Sequence, residues 1–132
     1  MKQLILILAL CIALPSLLFA GSGEDQMRAD VKKLVDAAKK CKRGVPWESS
    51  PTEINKVADY GKVVAPLLLE LLCDKPEEDI NCDLCFQQYA ALALCKIYNV
   101  QCLAGQIYLN RARMEDNNKV KAFWTEMIIN KK

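Results

Sequence analysis

The sequence predicts an all-α domain of about five helices, joined as antiparallel hairpins. Three observations carry this. Apolar side chains recur at three- and four-residue steps through successive segments, the period of one helix face. No segment shows sustained alternation of apolar and polar residues between turn signals, so no strand is assigned. The connections between periodic segments are short, which favours antiparallel neighbours.

A leader precedes the domain. Met1 and Lys2 make a short positive start, Leu4 to Phe19 is apolar apart from Ser16, and Ala20, Gly21 and Ser22 are small. That is the pattern of a secretory signal peptide over residues 1–20, with cleavage expected after Ala20 or Ser22. The run is shorter than the roughly 20 apolar residues of a membrane span, so no stable anchor is expected after cleavage. Cys11 follows the bulky Leu10 inside the run and is read as part of its apolar core. Residues 21–132 then form a single domain, secreted or periplasmic. Removing the leader takes away one lysine, leaving 17 basic against 16 acidic side chains, a net charge of +1. A dedicated nucleic-acid binder would carry a clear basic excess, so none is expected as partner.

The helices follow in order. Gly21 to Gln26 is small and polar and reads as a frayed start. Met27 to Lys42 is the first helix, with Met27, Val31, Leu34, Val35, Ala38 and Cys41 on one face and Lys32, Lys33, Lys39, Lys40 and Lys42 elsewhere. Arg43 follows, Gly44 suits a C-terminal cap, and Pro46 opposes continuation. Ser50-Pro51-Thr52-Glu53 reads as a helix start. The serine accepts from an orphan amide, the proline needs no partner at the first helical position, and the glutamate reaches back. This second helix carries Ile54, Val57 and Ala58 inward and ends or turns at Gly61.

Lys62 to Cys73 is the third helix, with Pro66 tolerated near its first turn and Val64, Leu67, Leu68, Leu71 and Leu72 buried. Asp74 to Asp79 is an acidic loop holding Pro76. Asp83 to Tyr98 is the fourth helix, and its small residues between Gln87 and Leu94 let a neighbour approach closely. Val100 to Asn110 is ambiguous between loop and short helix. Asp116 to Ile129 is the last helix, with an apolar stripe of Val120, Phe123, Trp124, Met127 and Ile128.

One block has a family likeness. Ile54-x-x-Val57-x-x-x-Gly61, then Pro66-Leu67-Leu68-Leu69-Glu70-Leu71-Leu72-x-Asp74, resembles a HEAT-type repeat: a helix, a glycine turn, and a leucine-rich helix bearing a proline. Tyr89-Ala90-Ala91-Leu92-Ala93-Leu94-x-x-Ile97 resembles the first helix of a following repeat. Val120-x-x-Phe123-Trp124 resembles the last helix of small exported bacterial HEAT-like proteins of the armadillo type. The resemblance covers roughly residues 51–129. It implies a short right-handed array of stacked hairpins that offers a surface to other proteins, and it implies no catalytic residue.

Six cysteines follow the leader: Cys41, Cys73, Cys82, Cys85, Cys95 and Cys102. An even number in a small exported chain points to disulfide staples. Proximity suggests Cys73 with Cys82 or Cys85, and Cys95 with Cys102; the full connectivity stays open. Cys82-x-x-Cys85 invites two other readings. A redox dithiol wants a strand before it, and the acidic loop supplies none. A zinc site could recruit Cys73 and Cys95, but export and the lack of a second C-x-x-C oppose it, so no metal is expected.

Histidine is absent, which removes His-based triads, His-metal sites and imidazole acid–base chemistry. Glu77, Glu78 and Asp79 are consecutive and repel rather than converge. No enzyme and no cofactor is expected. The candidate partner contacts are Trp47, which either plugs the helix ends or anchors a partner, and Lys32, Lys39 and Arg43 of the first basic face. The expectation is therefore an exported helical scaffold for protein–protein interaction. The alternative is a small disulfide-stapled carrier of an apolar ligand, which would need an enclosed apolar pocket.

Overall fold

The computed structural model describes residues 23–39, 52–74, 84–108 and 114–131 of the chain, and these are helical with short connections. No strand occurs among the described residues, only an isolated bridge between Ala104 and Ile107. The described part is all-α, as the periodicity predicts. The leader, both cleavage positions and the Ser50 cap lie outside the described residues.

Helix α1 covers residues 23–39. It is already helical where fraying is expected. Glu24 and Asp25 suit the positive end of a helix dipole, and Glu24 pairs with Arg28 one turn on at 2.8 Å. Met27, Val31, Leu34 and Ala38 are buried.

Helix α2, Thr52–Ala58, buries Ile54 and Val57. Its end tightens, with the Tyr60 amide donating to the Val57 carbonyl at 3.2 Å. The chain then reverses at Gly61, whose φ of +71° is costly for any side-chain-bearing residue. A Cβ there would meet nothing within 4 Å, so the requirement is one of backbone conformation and not of space.

The expected third helix over Lys62–Cys73 divides in two: a 3-10 turn, Gly61–Val64, and helix α3, Ala65–Glu70. Pro66 explains the division. It has no amide hydrogen to offer the Lys62 carbonyl, and its ring would crowd that carbonyl in a continuous α-helix. Ala65 donates to Lys62 instead, in the tighter 3-10 pattern. Val64, Ala65 and Leu68 are buried.

Helix α4, Leu84–Tyr98, is the centre of the packing. Gln87 and the run from Ala90 to Cys95 are all buried, so it is enclosed on most sides. Both α2 and α3 pack on it. Lys96 donates to the Asn55 side chain at 2.6 Å across α4 and α2.

Val100 to Asn110 is not a helix over its described part, residues 100–108. Asn99 takes a left-handed φ of 52°, and the Val100 amide donates to the Cys95 carbonyl at 2.9 Å. That is the closure that ends a helix and turns the chain away. Gly105, with φ of +86°, bends the segment again. Ile107 and Tyr108 are then buried.

Helix α5, Met114–Asn130, opens with Glu115 and Asp116 in its first turn. Val120 and Trp124 are buried on its apolar stripe, and α5 packs on α3. Trp124 meets Phe123 edge-on at 5.0 Å and the α4 residue Tyr98 at 5.9 Å. Its indole N–H donates to the Gln106 carbonyl at 2.7 Å. Among the described residues no helix is long and apolar enough to cross a membrane.

Candidate binding groove

The helical period brings two short stretches face to face. Gly23, Glu24, Met27 and Arg28 share one side of α1 through one-turn spacing. Opposite them stand Tyr60, then Val63, Pro66, Leu67 and Glu70, which recur at steps of three and four along the 3-10 turn and α3. Between the two stretches is a groove of about 630 Å3. Met27 is buried at its base and Leu67 is half-buried. Glu24, Arg28, Val63, Pro66 and Glu70 are exposed at its margins, so it is an open trough and not a sealed pocket. Val63 shows 66% of its surface to solvent, although it is a large aliphatic residue.

A polar tie holds the groove's two walls. Asp30 of α1 is only 2% exposed. It accepts from the Tyr60 hydroxyl at 2.6 Å and from the Gln26 amide at 3.2 Å. Lys56 and Lys33 approach the same carboxylate at 3.4 and 3.6 Å. The Tyr60 hydrogen bond is the largest influence on Asp30. Together with Gln26 and Lys56 it outweighs burial and holds the carboxyl down to about 2. The same bond raises Tyr60 above the ordinary phenol range, with burial and the Asp30 charge acting in the same direction.

The groove's electrostatics are uneven. Arg28 and Glu24 neutralise each other. Lys32 and Lys39 are exposed on α1 and form no ion pair among the described residues. With Arg28 they occupy one stripe about 40° wide at a helical 100° per residue. Glu70, on the opposite margin, is also without an ion pair among the described residues.

Of the expected partner contacts, Lys32 and Lys39 are exposed on α1, Lys32 about one turn and Lys39 about three turns beyond Arg28, and neither lines the groove. Arg43 and Trp47 lie outside the described residues, as do Cys41 and Cys82, and Cys85 is described only in its backbone, within α4. Cys73 follows α3 and is half-buried. Gln87 grips this cysteine twice, accepting from its amide at 2.6 Å and donating to its sulfur at 2.7 Å. The Tyr108 hydroxyl donates to its carbonyl at 2.8 Å. Where spacing leads one to expect a Cys95–Cys102 bond, the structure holds two free thiols instead. Burial first, then the influence of Cys102, push the Cys95 thiol above the ordinary cysteine range. Among the described residues no three acidic or cysteine side chains cluster as a metal site.

Sequence reasoning passed over Tyr60, Val63, Pro66 and Glu70. Their three-and-four spacing on the segment after Gly61 was a usable signal. Comparison with family models, curated proteins and solved structures returns no match.

Proposed function

We propose that this chain is an exported interaction module of HEAT-like design, and that its α1–α3 groove seats an amphipathic helical segment of a partner protein. The single observation that carries the reading is the groove: an open trough with an apolar base and a solvent-facing valine at its edge. A helix laid in such a trough buries one apolar stripe and leaves its flanks wet. The flanks define the partner's chemistry. Lys32 and Lys39, further along α1, call for acidic residues on a partner helix that continues past the groove, and Glu70 calls for a basic residue on the opposite margin. The apolar leader supports export, and the even number of cysteines behind it supports a stapled scaffold suited to an oxidising compartment.

A photo-crosslinking residue at position 63 of the mature protein, expressed in its native host, tests the proposal. The expected result is a crosslinked polypeptide that is lost when Lys32 and Lys39 are both changed to Glu. Crosslinking no stronger than from exposed Asn99, far along the sequence from the groove, would overturn it. The second reading, a carrier of an apolar ligand, is favoured by the groove's volume, which falls in the range of small-molecule sites. Native mass spectrometry of the purified protein separates the two: a bound small molecule, lost in Val63→Asp, would make it a carrier.

A further inference from the structure

The two walls of the groove are held unequally. On the α3 side, Val64, Ala65 and Leu68 are fully buried and alternate with the lining residues Val63, Pro66 and Leu67, so that wall is pinned to the core. On the α1 side, from Gly23 to Asp30, only Met27 and Asp30 are buried, and every other residue is exposed. Met27 is unbranched and packs in more than one arrangement. The fixed point of the α1 wall is therefore Asp30.

Asp30 is fixed mainly by one residue across the groove. Its carboxylate accepts from the Tyr60 hydroxyl at 2.6 Å and from Gln26, one turn earlier on α1, at 3.2 Å. Lys33 belongs to α1 as well, so it joins nothing across. Lys56 reaches from α2 at 3.4 Å, but its side chain is exposed, where an ion pair contributes little. Among the described residues, Tyr60 is the one lining side chain that bonds to the helix of the opposite wall. It stands next to Gly61, whose positive φ turns the chain into the α3 wall. The bond thus fastens the loosely held wall to the start of the pinned one.

We propose that Tyr60 is a positioning residue for the groove: through Asp30 it holds the first two turns of α1 at the distance from α3 that receives an apolar occupant. This rests on the reading of the groove as a binding site. A site ordered in advance binds more tightly than one that its occupant must order. Without the bond, the receptive arrangement becomes one of several, and affinity falls by the fraction of molecules that keep it. If about one molecule in ten keeps it, binding weakens roughly tenfold. The bond also sets what Tyr60 presents. The hydroxyl's single proton is committed to Asp30, so Tyr60 has no donor for an occupant, and the groove favours an apolar side chain at that end.

The test titrates the folded mature protein with anilinonaphthalene sulfonate and compares Tyr60→Phe, Asp30→Ala, the double variant and Val63→Asp. Asp30 does not line the groove, so its removal reaches the dye only through Tyr60 and the wall. Tyr60→Phe and Asp30→Ala should each weaken binding roughly tenfold, and the double variant should be no weaker than either, because both act through one bond. Damage to the fold would expose apolar surface and raise dye binding, so weaker binding is not its symptom. In Tyr60→Phe the methyl resonance of Met27 should broaden by exchange, while those of Leu94 and Val120 in the core stay sharp. Circular dichroism confirms that each variant is folded, and Tyr60→Phe, which keeps the ring, decides the matter if Asp30→Ala does not fold. Wild-type affinity in Tyr60→Phe, with binding weakened in Val63→Asp, would overturn the proposal and leave the groove reading standing. Additive losses in the double variant would overturn it too, since the two residues would then act separately. Wild-type affinity in both Tyr60→Phe and Val63→Asp would overturn the proposal and the groove reading together.

Discussion

Around α4, side chains interlock and the buried Gln87 side chain finds partners inside the protein, although the side-chain oxygens of Gln106 and Asn118 find none among the described residues. At the N-terminal end of α1, by contrast, the facing element stands away and leaves the groove. The first region combines complete burial of Leu94, Val120 and Trp124 with an internal hydrogen bond accepted by Gln87 and others donated by Tyr108 and the indole of Trp124. The second joins its walls through one carboxylate, Asp30, and its hydroxyl partner Tyr60. Stability is concentrated where packing is dense, while exposed apolar surface such as Val63 is tolerated where a partner can cover it. The groove binding we propose would use both regions: a rigid one to hold the walls and a loose one to receive.

The largest expected effect breaks the dense region. Trp124→Ala should destabilise by about 3–5 kcal/mol, since it removes the largest fully buried side chain and leaves a cavity against Tyr98 and Phe123. It also orphans the Gln106 carbonyl. Urea denaturation followed by circular dichroism measures it. A loss near that of an exposed site would mean that α5 is not part of the core.

The next effect concerns the polar part of the same region. Gln87→Met keeps the side chain's length but takes the acceptor from the Cys73 amide. An amide left without a partner in a half-buried setting costs about 1–3 kcal/mol. The same denaturation curves should place Gln87→Met between Trp124→Ala and any surface change. A neutral result would show that water can replace the glutamine at Cys73.

Both regions were unequally legible in the sequence. Periodicity finds apolar positions that face inward, and it placed Leu34, Ile54, Leu68, Val120 and Trp124 correctly. It has no means of finding Asp30 or Gln87, because a polar residue scores as outward wherever it stands. Yet Asp30 lies one turn from both Met27 and Leu34, on the stripe itself. The split of the third helix was written in Pro66, whose missing amide matters more than the leucine pattern around it. The turn after α4 was written in Asn99 and Gly105, two residues that accept positive φ. The groove was not written in any residue type. It exists because two faces fail to meet, and that distance is set by the packing of α1 and α3 on the rest of the core.

Acid titration examines the tie at the loose region. Asp30 has a folded value of about 2, below its ordinary 3.8. A lowered carboxylate contributes stability that is fully present above its unfolded value and is lost as pH falls through the folded one. The window for Asp30 therefore runs from roughly pH 4 down to pH 2. The melting temperature of the wild-type chain should fall across this window. Asp30→Asn should melt lower at pH 7 and lose less on acidification. Tyr60→Phe removes the largest cause of the shift, so its acid loss should begin at the same pH but be smaller and end at a higher pH than in the wild type. Parallel acid curves for wild type and Asp30→Asn would mean that the buried carboxylate does not join α1 to α2.

The smallest effect on stability is the most informative about function. Val63 is exposed, so Val63→Asp should change folding stability by no more than about 0.5 kcal/mol. Its place at the groove's edge gives it a different importance for binding. An aspartate there sets a charge against apolar surface that a partner would have to bury, on the same wall as the negative Glu70. A partner helix, or an environment-sensitive dye such as anilinonaphthalene sulfonate, should bind the variant more weakly than the wild type while the denaturation curves coincide. The contrast with Trp124→Ala is the point of the measurement: one change removes stability from the dense region, the other removes binding from the loose one. If Val63→Asp instead unfolds the protein, the valine is covered by part of the chain outside the described residues, and the groove is filled by the protein itself. If stability and binding both survive unchanged, the partner's surface is elsewhere, and the lysines of α1 become the next positions to alter.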